Sequence, residues 1–390
     1  MWYGRGFGYG QSVTDDDALA FSFPNDLGYG HELHADVQAL SDEARPRILL
    51  TGPRRAGKSS IAKVVFHKMS PNETLFLEST SAIVRDDIAS SAFVQFQIWD
   101  FPGDMEFDEP SLDADAIFKR AGALIFVIDA QDEIGEALAK LHATVARCFQ
   151  VNPTTKFEVF IHKVDALTDD QKLGVQRTIQ QQVMDELVAS KLDGIHLNFY
   201  LTSIYDHSVF EAFSKVIQKL VPQLATLENL LDILLSNCRM EKVFLIDVVS
   251  KLYVATDSSP VDMQIYELCS DMIDVIIDVA SIYGTPSPAS ASSAPSVTTK
   301  PAAPSAVSAA AGGTSAVIKL SNEMVLYLRE INKYLALVAL IRKEKFDKQG
   351  LIDYNFDTLK KAVLQLFDLA RLHQQQQQQH LQQQQQHQGK

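Results

Sequence analysis

The sequence predicts an α/β domain, a mostly parallel sheet with helices on both faces, followed by a smaller α+β domain. Three observations carry that prediction. Over residues 47–220, strand-like runs alternate with helix-like stretches. Beyond Thr226 the order changes to paired strands, a helix, three further strands and a last helix. Finally, residues 1–44, 285–315 and 373–390 lack the periodic apolar side chains of a packed element.

Residues 1–44 mix glycine with tyrosine and phenylalanine in no regular period and read as a disordered arm. The first domain occupies 45–222. Its opening strand is Arg47-Ile-Leu-Leu-Thr51, followed by a glycine-bounded loop and a helix over 59–68. Residues 92–100 alternate Val94, Phe96 and Ile98 against Gln95 and Gln97, the pattern of a strand with one wet face. Residues 123–130 are apolar almost throughout, as a central parallel strand should be. Two more strands are expected at 157–162 and 197–203. Ligands of such a sheet bind at the carboxyl ends of its strands.

A connecting helix is expected within 223–239, and the second domain spans 240–372. Its strands fall at 243–249, 252–256, 317–320, 325–328 and 335–341, its helices at 263–282 and 356–372. The first of these helices carries more apolar surface than one small sheet needs, which favours contact with a partner. The Ala/Ser/Pro-rich stretch 285–315 offers nothing to repay the entropy of ordering, so it is a disordered insertion within that domain. The glutamine-rich 373–390 is expected to be a disordered tail.

The chain has 35 Lys+Arg against 49 Asp+Glu, a net charge of −14, which excludes nucleic acid as a partner of its general surface. The longest apolar run covers 334–341, far short of the ~18 residues a membrane span needs, so direct membrane insertion is not expected. Neither Met1-Trp2-Tyr3 nor Gln388-Gly389-Lys390 carries a lipidation signal, so any membrane attachment must be borrowed. Cys148, Cys238 and Cys269 match no metal spacing and read as reduced thiols.

Chemistry concentrates in four segments. Gly52-Pro-Arg-Arg-Ala-Gly57-Lys58-Ser59 fits the phosphate-binding pattern G-x-x-x-x-G-K-[ST], between an expected strand and an expected helix. Glycines let successive backbone N–H groups surround a phosphate, and the helix aims its positive end at the anion. Lys58 can bridge the β- and γ-phosphates while the Ser59 hydroxyl ligates Mg²⁺. Asp100-Phe-Pro-Gly103 ends a strand, placing a carboxylate that can hold Mg²⁺ through water and a glycine N–H near the γ-phosphate. His162-Lys163-Val164-Asp165 ends another. There Asp165 can accept from both N1–H and the N2 amino group of guanine, a donor pair adenine lacks, while the Lys163 stem lies over the base. Thr202-Ser203-Ile204 ends the next and can offer an N–H to guanine O6.

These motifs, in this order, resemble those of small GTPases, with His162 where most carry asparagine. RILLTGPRRAGKSS, FQIWDFPGD, FEVFIHKVD and FYLTSIYDHSVFEAFSKV resemble the Rag GTPases, specifically their C/D-type members. Residues 243–279 and 349–356 resemble that family's roadblock/longin-like dimerisation domain, and the likeness covers about 46–284 and 316–372. It implies a P-loop GTPase domain, GTP/GDP with Mg²⁺, and a phosphate loop made of Arg55, Ala56, Gly57, Lys58, Ser59 and Ser60. Thr74 and Thr80 would belong to the first switch, with Thr80 sensing Mg²⁺ and the γ-phosphate near Gly103. His162, Lys163, Asp165, Ser203 and Ile204 would bind guanine. It further implies a heterodimer with an A/B-type Rag subunit, a lysosomal or vacuolar anchoring complex, and relay of amino-acid sufficiency to the target-of-rapamycin kinase complex.

Asp104 departs from the family: a glutamine that orients the attacking water usually follows Gly103. Slow intrinsic hydrolysis is therefore expected, with a nucleotide-stabilised scaffold of little turnover as the alternative. Arg54, Arg55 and Arg85 are the candidates for an arginine supplied in cis, though each reads more simply as a solvated or phosphate-loop charge. An ATPase or small-molecule kinase is disfavoured, because the His162-to-Asp165 element would then have no purpose.

Overall fold

Parallel pairing of apolar strands builds the first sheet. In the computed structural model, which describes residues 46–88, 96–105, 107, 113–192, 194–283, 315–332 and 334–388, its parallel strands are five. They are β1 (Arg47–Thr51), β3 (Phe96–Asp100), β4 (Ala121–Asp129), β5 (Lys156–His162) and β6 (Leu197–Thr202). The order is β2-β3-β1-β4-β5-β6, with β2 (Val84–Ile88) antiparallel at the edge. From β1 the chain passes to β3 on one side and then to β4 on the other. The carboxyl end of β1 therefore lies at the reversal of strand order, where such sheets hold ligands.

Alternate residues of each strand face opposite layers. Ile48, Leu50, Ile125 and Val127 pack under α1 (Lys58–His67) and α5 (Ser208–Leu220). Leu49, Leu124, Phe126 and Ile128 pack under α2 (Ala114–Phe118), α3 (Ile134–Val151) and α4 (Asp169–Ala189). The fold class read from the sequence is thus the one observed.

The second sheet is antiparallel, in the order β8-β7-β11-β10-β9. Its strands are β7 (Lys242–Asp247), β8 (Tyr253–Thr256), β9 (Ser315–Lys319), β10 (Met324–Glu330) and β11 (Leu335–Arg342). On one face α7 (Met263–Tyr283) buries Tyr266, Met272, Ile273 and Ile276 against Phe244, Ile246 and Val338. On the other, α6 (Leu224–Cys238) and α9 (Gln349–Gln388) cover Leu245, Leu337 and Ala339 with Leu227, Leu231, Phe356 and Val363. The short α8 (Lys343–Phe346) precedes α9. One apolar cluster runs from the α1/α5 face of the first sheet into this second core, and the Tyr253 N–H donates across the junction to Ser214 Oγ at 3.1 Å.

Besides the short α8, two elements differ from the sequence reading. The edge strand β2, Val-Arg-Asp-Asp-Ile, is additional; charged at its middle three positions, it shows no apolar alternation. The last helix starts at Gln349 rather than 356 and continues to Gln388, through the segment expected to be a disordered tail. Glutamine is a good helix former, and extending a nucleated helix requires no new nucleation. The arm 1–44 and all of 285–315 except Ser315, which opens β9, lie outside the described residues, as do 92–95 of the strand expected to begin at 92. Among the described residues no helix is long and apolar enough to cross a membrane.

Candidate nucleotide site

β1 delivers the chain into the loop 52–57, and Gly57 caps α1 with a left-handed φ of 99°. The N-terminus of α1, with its unpaired N–H groups, points into the resulting cradle. Lys58 is buried, and its Nζ donates to the carbonyls of Gly52 (2.8 Å) and Pro53 (2.7 Å). Burial pushes its pKa down from 10.5 to about 8, against the pull of Asp100. The loop thus holds a cation in a place that costs it hydration, a cost that an anionic ligand offsets.

Ser59 stands beside it at the centre of an oxygen cluster. Its Oγ lies 2.7 Å from Thr80 Oγ1 and donates to Asp100 Oδ2 at 2.5 Å. Asp100 Oδ1 is buried with no hydrogen-bond partner among the described residues, and burial raises that carboxyl's pKa against the Ser59 bond and Lys58. Two hydroxyls and an under-satisfied carboxylate form an all-oxygen donor set, which suits a hard cation such as Mg²⁺. Thr74 belongs to a 3₁₀ turn, Pro71–Phe76, where its Oγ1 donates to the Pro71 carbonyl at 2.7 Å. Ser60 lines the cleft one residue beyond Ser59.

Gly103 follows Asp100 at close quarters with the loop: a Cβ there would meet Arg54 N at 2.4 Å. Its carbonyl accepts from Lys140 Nζ at 2.6 Å. Asp104 lies outside the cleft lining, with Oδ2 3.8 Å from Arg54 Nη1 and both side chains largely exposed. Arg54 also donates to Ser79 Oγ at 3.0 Å. Arg55 lines the cleft, whereas Arg85 does not; its guanidinium sits over Trp99.

At the end of β5, Lys163 takes a left-handed φ of 62° and reaches two partners with Nζ: the Arg55 carbonyl at 2.7 Å and Asp129 Oδ2 at 2.6 Å. It therefore ties the end of β5 to the phosphate loop. Asp165 Oδ1 accepts from Ser203 Oγ at 2.8 Å, and that hydroxyl in turn accepts from Tyr205 N at 3.1 Å. His162 is fully buried, with Nδ1 3.0 Å from Thr202 Oγ1.

Arg55, Gly57, Lys58, Ser59, Ser60, Thr74, Thr80, Gly103, His162, Lys163, Asp165 and Ile204 thus share one cleft of about 650 Å³. Ala56 and Ser203 support it from behind, one buried in the core, the other bonded to Asp165. Sequence reasoning missed Asp129, Gln131, which donates to the Lys163 carbonyl at 2.7 Å, and Tyr205. Asp129 ends the most apolar strand of the sheet, a position that marks ligand-side residues.

A phosphate cradle, an oxygen cluster for a hard cation and a paired carboxylate for the base, all at the carboxyl edge of a parallel sheet, define a P-loop protein of the G-protein class. The family model "Gtr1/RagA G protein conserved region" matches residues 47–273. Human "Ras-related GTP-binding protein C" is 55% identical over 367 residues, covering 90% of this chain and 88% of that protein. Mouse "Ras-related GTP-binding protein D" is 57% identical over 330 residues, 85% of this chain and 70% of that one. The "GTP-binding protein gtr2" of Schizosaccharomyces pombe is 54% identical over 324 residues, 83% and 98% respectively. The chain belongs to the Rag/Gtr family of GTPases, as a C/D-type subunit.

Proposed function

We propose that this subunit is the nucleotide switch of a heterodimer with an A/B-type Rag subunit, paired through the C-terminal α+β domain. Held at the lysosomal or vacuolar surface by a separate anchoring complex, it relays amino-acid sufficiency to the target-of-rapamycin kinase complex. The likeness to C- and D-type relatives over both domains supports this reading.

In this reading Arg55 to Ser60 hold the phosphates, and Lys58 recovers, from the β- and γ-oxygens, the charge partner that burial denies it. Ser59 and Thr80, with Asp100 behind them, would hold Mg²⁺, which would supply neutralisation of phosphate charge. Thr74 and Thr80 lie on the first switch and Gly103 on the second, so loss of the γ-phosphate releases both. Asp165, oriented by Ser203, selects guanine, with His162, Lys163 and Ile204 around it.

One observation carries the reading. Ser59, Thr80 and Asp165 line one cleft, with Asp100 bonded to Ser59, so a single ligand with a metal-bound polyphosphate and a base offering two donors satisfies both groups. Hydrolysis is slow in this reading, because Asp104 offers no N–H to a water and brings negative charge toward the γ-phosphate. That same residue favours the second reading, a nucleotide-stabilised scaffold with little turnover. Mass spectrometry of the co-purified nucleotide, alone and with an A/B-type subunit, tests both. GTP converting to GDP within hours supports the switch, and GTP retained unchanged supports the scaffold. Adenine nucleotide, or none, refutes both.

A further inference from the structure

β3 ends at Asp100 and leads into a turn, which the Met105 N–H closes by donating to the Pro102 carbonyl at 3.3 Å. In a four-residue turn the central peptide, here Gly103–Asp104, is the unit whose flip interconverts the common turn types. Such a flip exchanges the directions of its carbonyl and its N–H while the flanking residues hardly move. Gly103 itself has little room to shift, because a Cβ on it would meet Arg54 N at 2.4 Å and the Pro53 carbonyl carbon at 2.7 Å. What is left to set is the orientation of that one peptide.

Lys140 sets it. From the second turn of α3, its ammonium donates to the Gly103 carbonyl at 2.6 Å. The bond turns that carbonyl toward α3, and the planar peptide then points the main-chain N–H of Asp104 the opposite way. Lys140 is half-buried, and the Gly103 carbonyl is the only acceptor of its ammonium among the described residues. A cation held partly from water by one neutral carbonyl is poorly compensated. Its charge also reaches Lys58, whose pKa is lowered by burial first and then by Lys140. An anion arriving beside Gly103 relieves both lysines. Gly103 lines the nucleotide cleft and Lys140 does not, so the lysine acts on a ligand through the turn rather than by contact.

We propose that Lys140 is a positioning residue for the γ-phosphate: it locks the Gly103–Asp104 peptide with its N–H turned from α3 toward the nucleotide, so that the turn favours a triphosphate over a diphosphate. This rests on the nucleotide reading and adds to it the side chain that sets the turn's response to the third phosphate. A diphosphate offers that peptide no third phosphate to meet, so losing the lysine weakens GTP far more than GDP.

The test measures, by competition on the full-length chain, the affinities for GDP and for a non-hydrolysable GTP analogue. Lys140→Met is expected to lower the ratio of analogue to GDP affinity roughly tenfold, the scale of one hydrogen bond from a charged donor. Lys140→Arg, which keeps both donor and charge, should hold the ratio within about threefold of the parent. Lys140→Gln, a polar variant that keeps a neutral donor, is expected to fall between the two. Single-turnover GTP hydrolysis should drop in Lys140→Met and return in Lys140→Arg. An unchanged ratio in Lys140→Met and Lys140→Gln, an equal loss of both affinities, or an arginine variant as poor as the methionine one overturns the proposal and leaves the nucleotide reading standing. A native chain that binds neither nucleotide overturns both.

Discussion

The ring of His162 lies directly against Gly57: a Cβ built on that glycine would meet Cδ2 at 2.6 Å and Nε2 at 3.0 Å. The histidine cannot easily withdraw, since it is buried and its Nδ1 is paired with Thr202. Burial, reinforced by Lys163, lowers its pKa to about 4, so the ring packs as a neutral group at pH 7. Gly57 also has a φ of 99°, which an L side chain rarely adopts. Gly57→Ala is therefore expected to cost about 2 to 4 kcal/mol of stability and to abolish GDP retention. Urea denaturation and filter binding measure the two effects; a variant matching the parent in both would refute this account of the loop.

The Ser203–Asp165 hydrogen bond makes a specificity prediction. An amide at position 165 can turn a donor toward guanine's own donors, whereas xanthine presents an oxygen there. Asp165→Asn is expected to shift the GDP-to-XDP affinity ratio by roughly a hundredfold toward XDP. Ser203→Ala, which removes only the donor at 2.8 Å, should weaken GDP by about tenfold without changing the preference. Competition binding with both nucleotides checks this, and an unchanged ratio in Asp165→Asn would remove Asp165 from base recognition.

Lys58 gives nucleotide binding a pH signature. Its folded pKa, about 8, lies below the ordinary 10.5, so its buried charge weakens the empty fold fully below pH 8. That penalty fades as pH rises toward 10.5. Phosphates restore the charged form, so binding takes up a proton above pH 8 and affinity falls as pH climbs. At pH 8.5 calorimetry in two buffers of different ionisation enthalpy should show proton uptake on binding. Lys58→Met should lower affinity and abolish the uptake. Zero uptake by the native chain would mean that Lys58 stays charged in the empty cleft.

These residues also show what a sequence can and cannot disclose. β4 was legible because seven of its nine residues are buried in a central strand, and such a strand must be apolar on both faces. The loop 52–59 was legible because phosphate geometry demands particular residues at fixed spacing. β2 was not, since Arg85, Asp86 and Asp87 on an exposed edge strand satisfy no apolar period. Nor was the Lys163–Asp129 pair, 34 residues apart and joined only when β4 and β5 align Asp129 with His162. The helical course of α9 to Gln388 follows from a helix nucleated upstream, which a reading of the tail by itself cannot register.

Asp104 makes a kinetic prediction. Its 3.8 Å contact with Arg54 joins two largely exposed groups and contributes little to stability. Replacing it should therefore leave folding intact and act on chemistry alone. Asp104→Gln supplies an N–H and a carbonyl for a water in place of a carboxylate, so single-turnover GTP hydrolysis should rise roughly tenfold. Equal or faster hydrolysis by the native protein would show that the aspartate is no handicap.

The junction between the domains rests in part on one hydroxyl. Ser214 is fully buried on α5, where its Oγ donates to the Phe210 carbonyl at 2.8 Å and accepts from Tyr253 N at 3.1 Å on β8. Ser214→Ala leaves that buried N–H without its acceptor, an expected cost of about 1 to 3 kcal/mol. Because the apolar cluster is continuous from Ile48 through Phe213 to Leu245, the loss should appear in both halves of the molecule. Hydrogen exchange is expected to speed up at Tyr253 and along α5 together. Faster exchange at Tyr253 alone, with α5 and overall stability unchanged, would mean that the two cores touch without supporting each other.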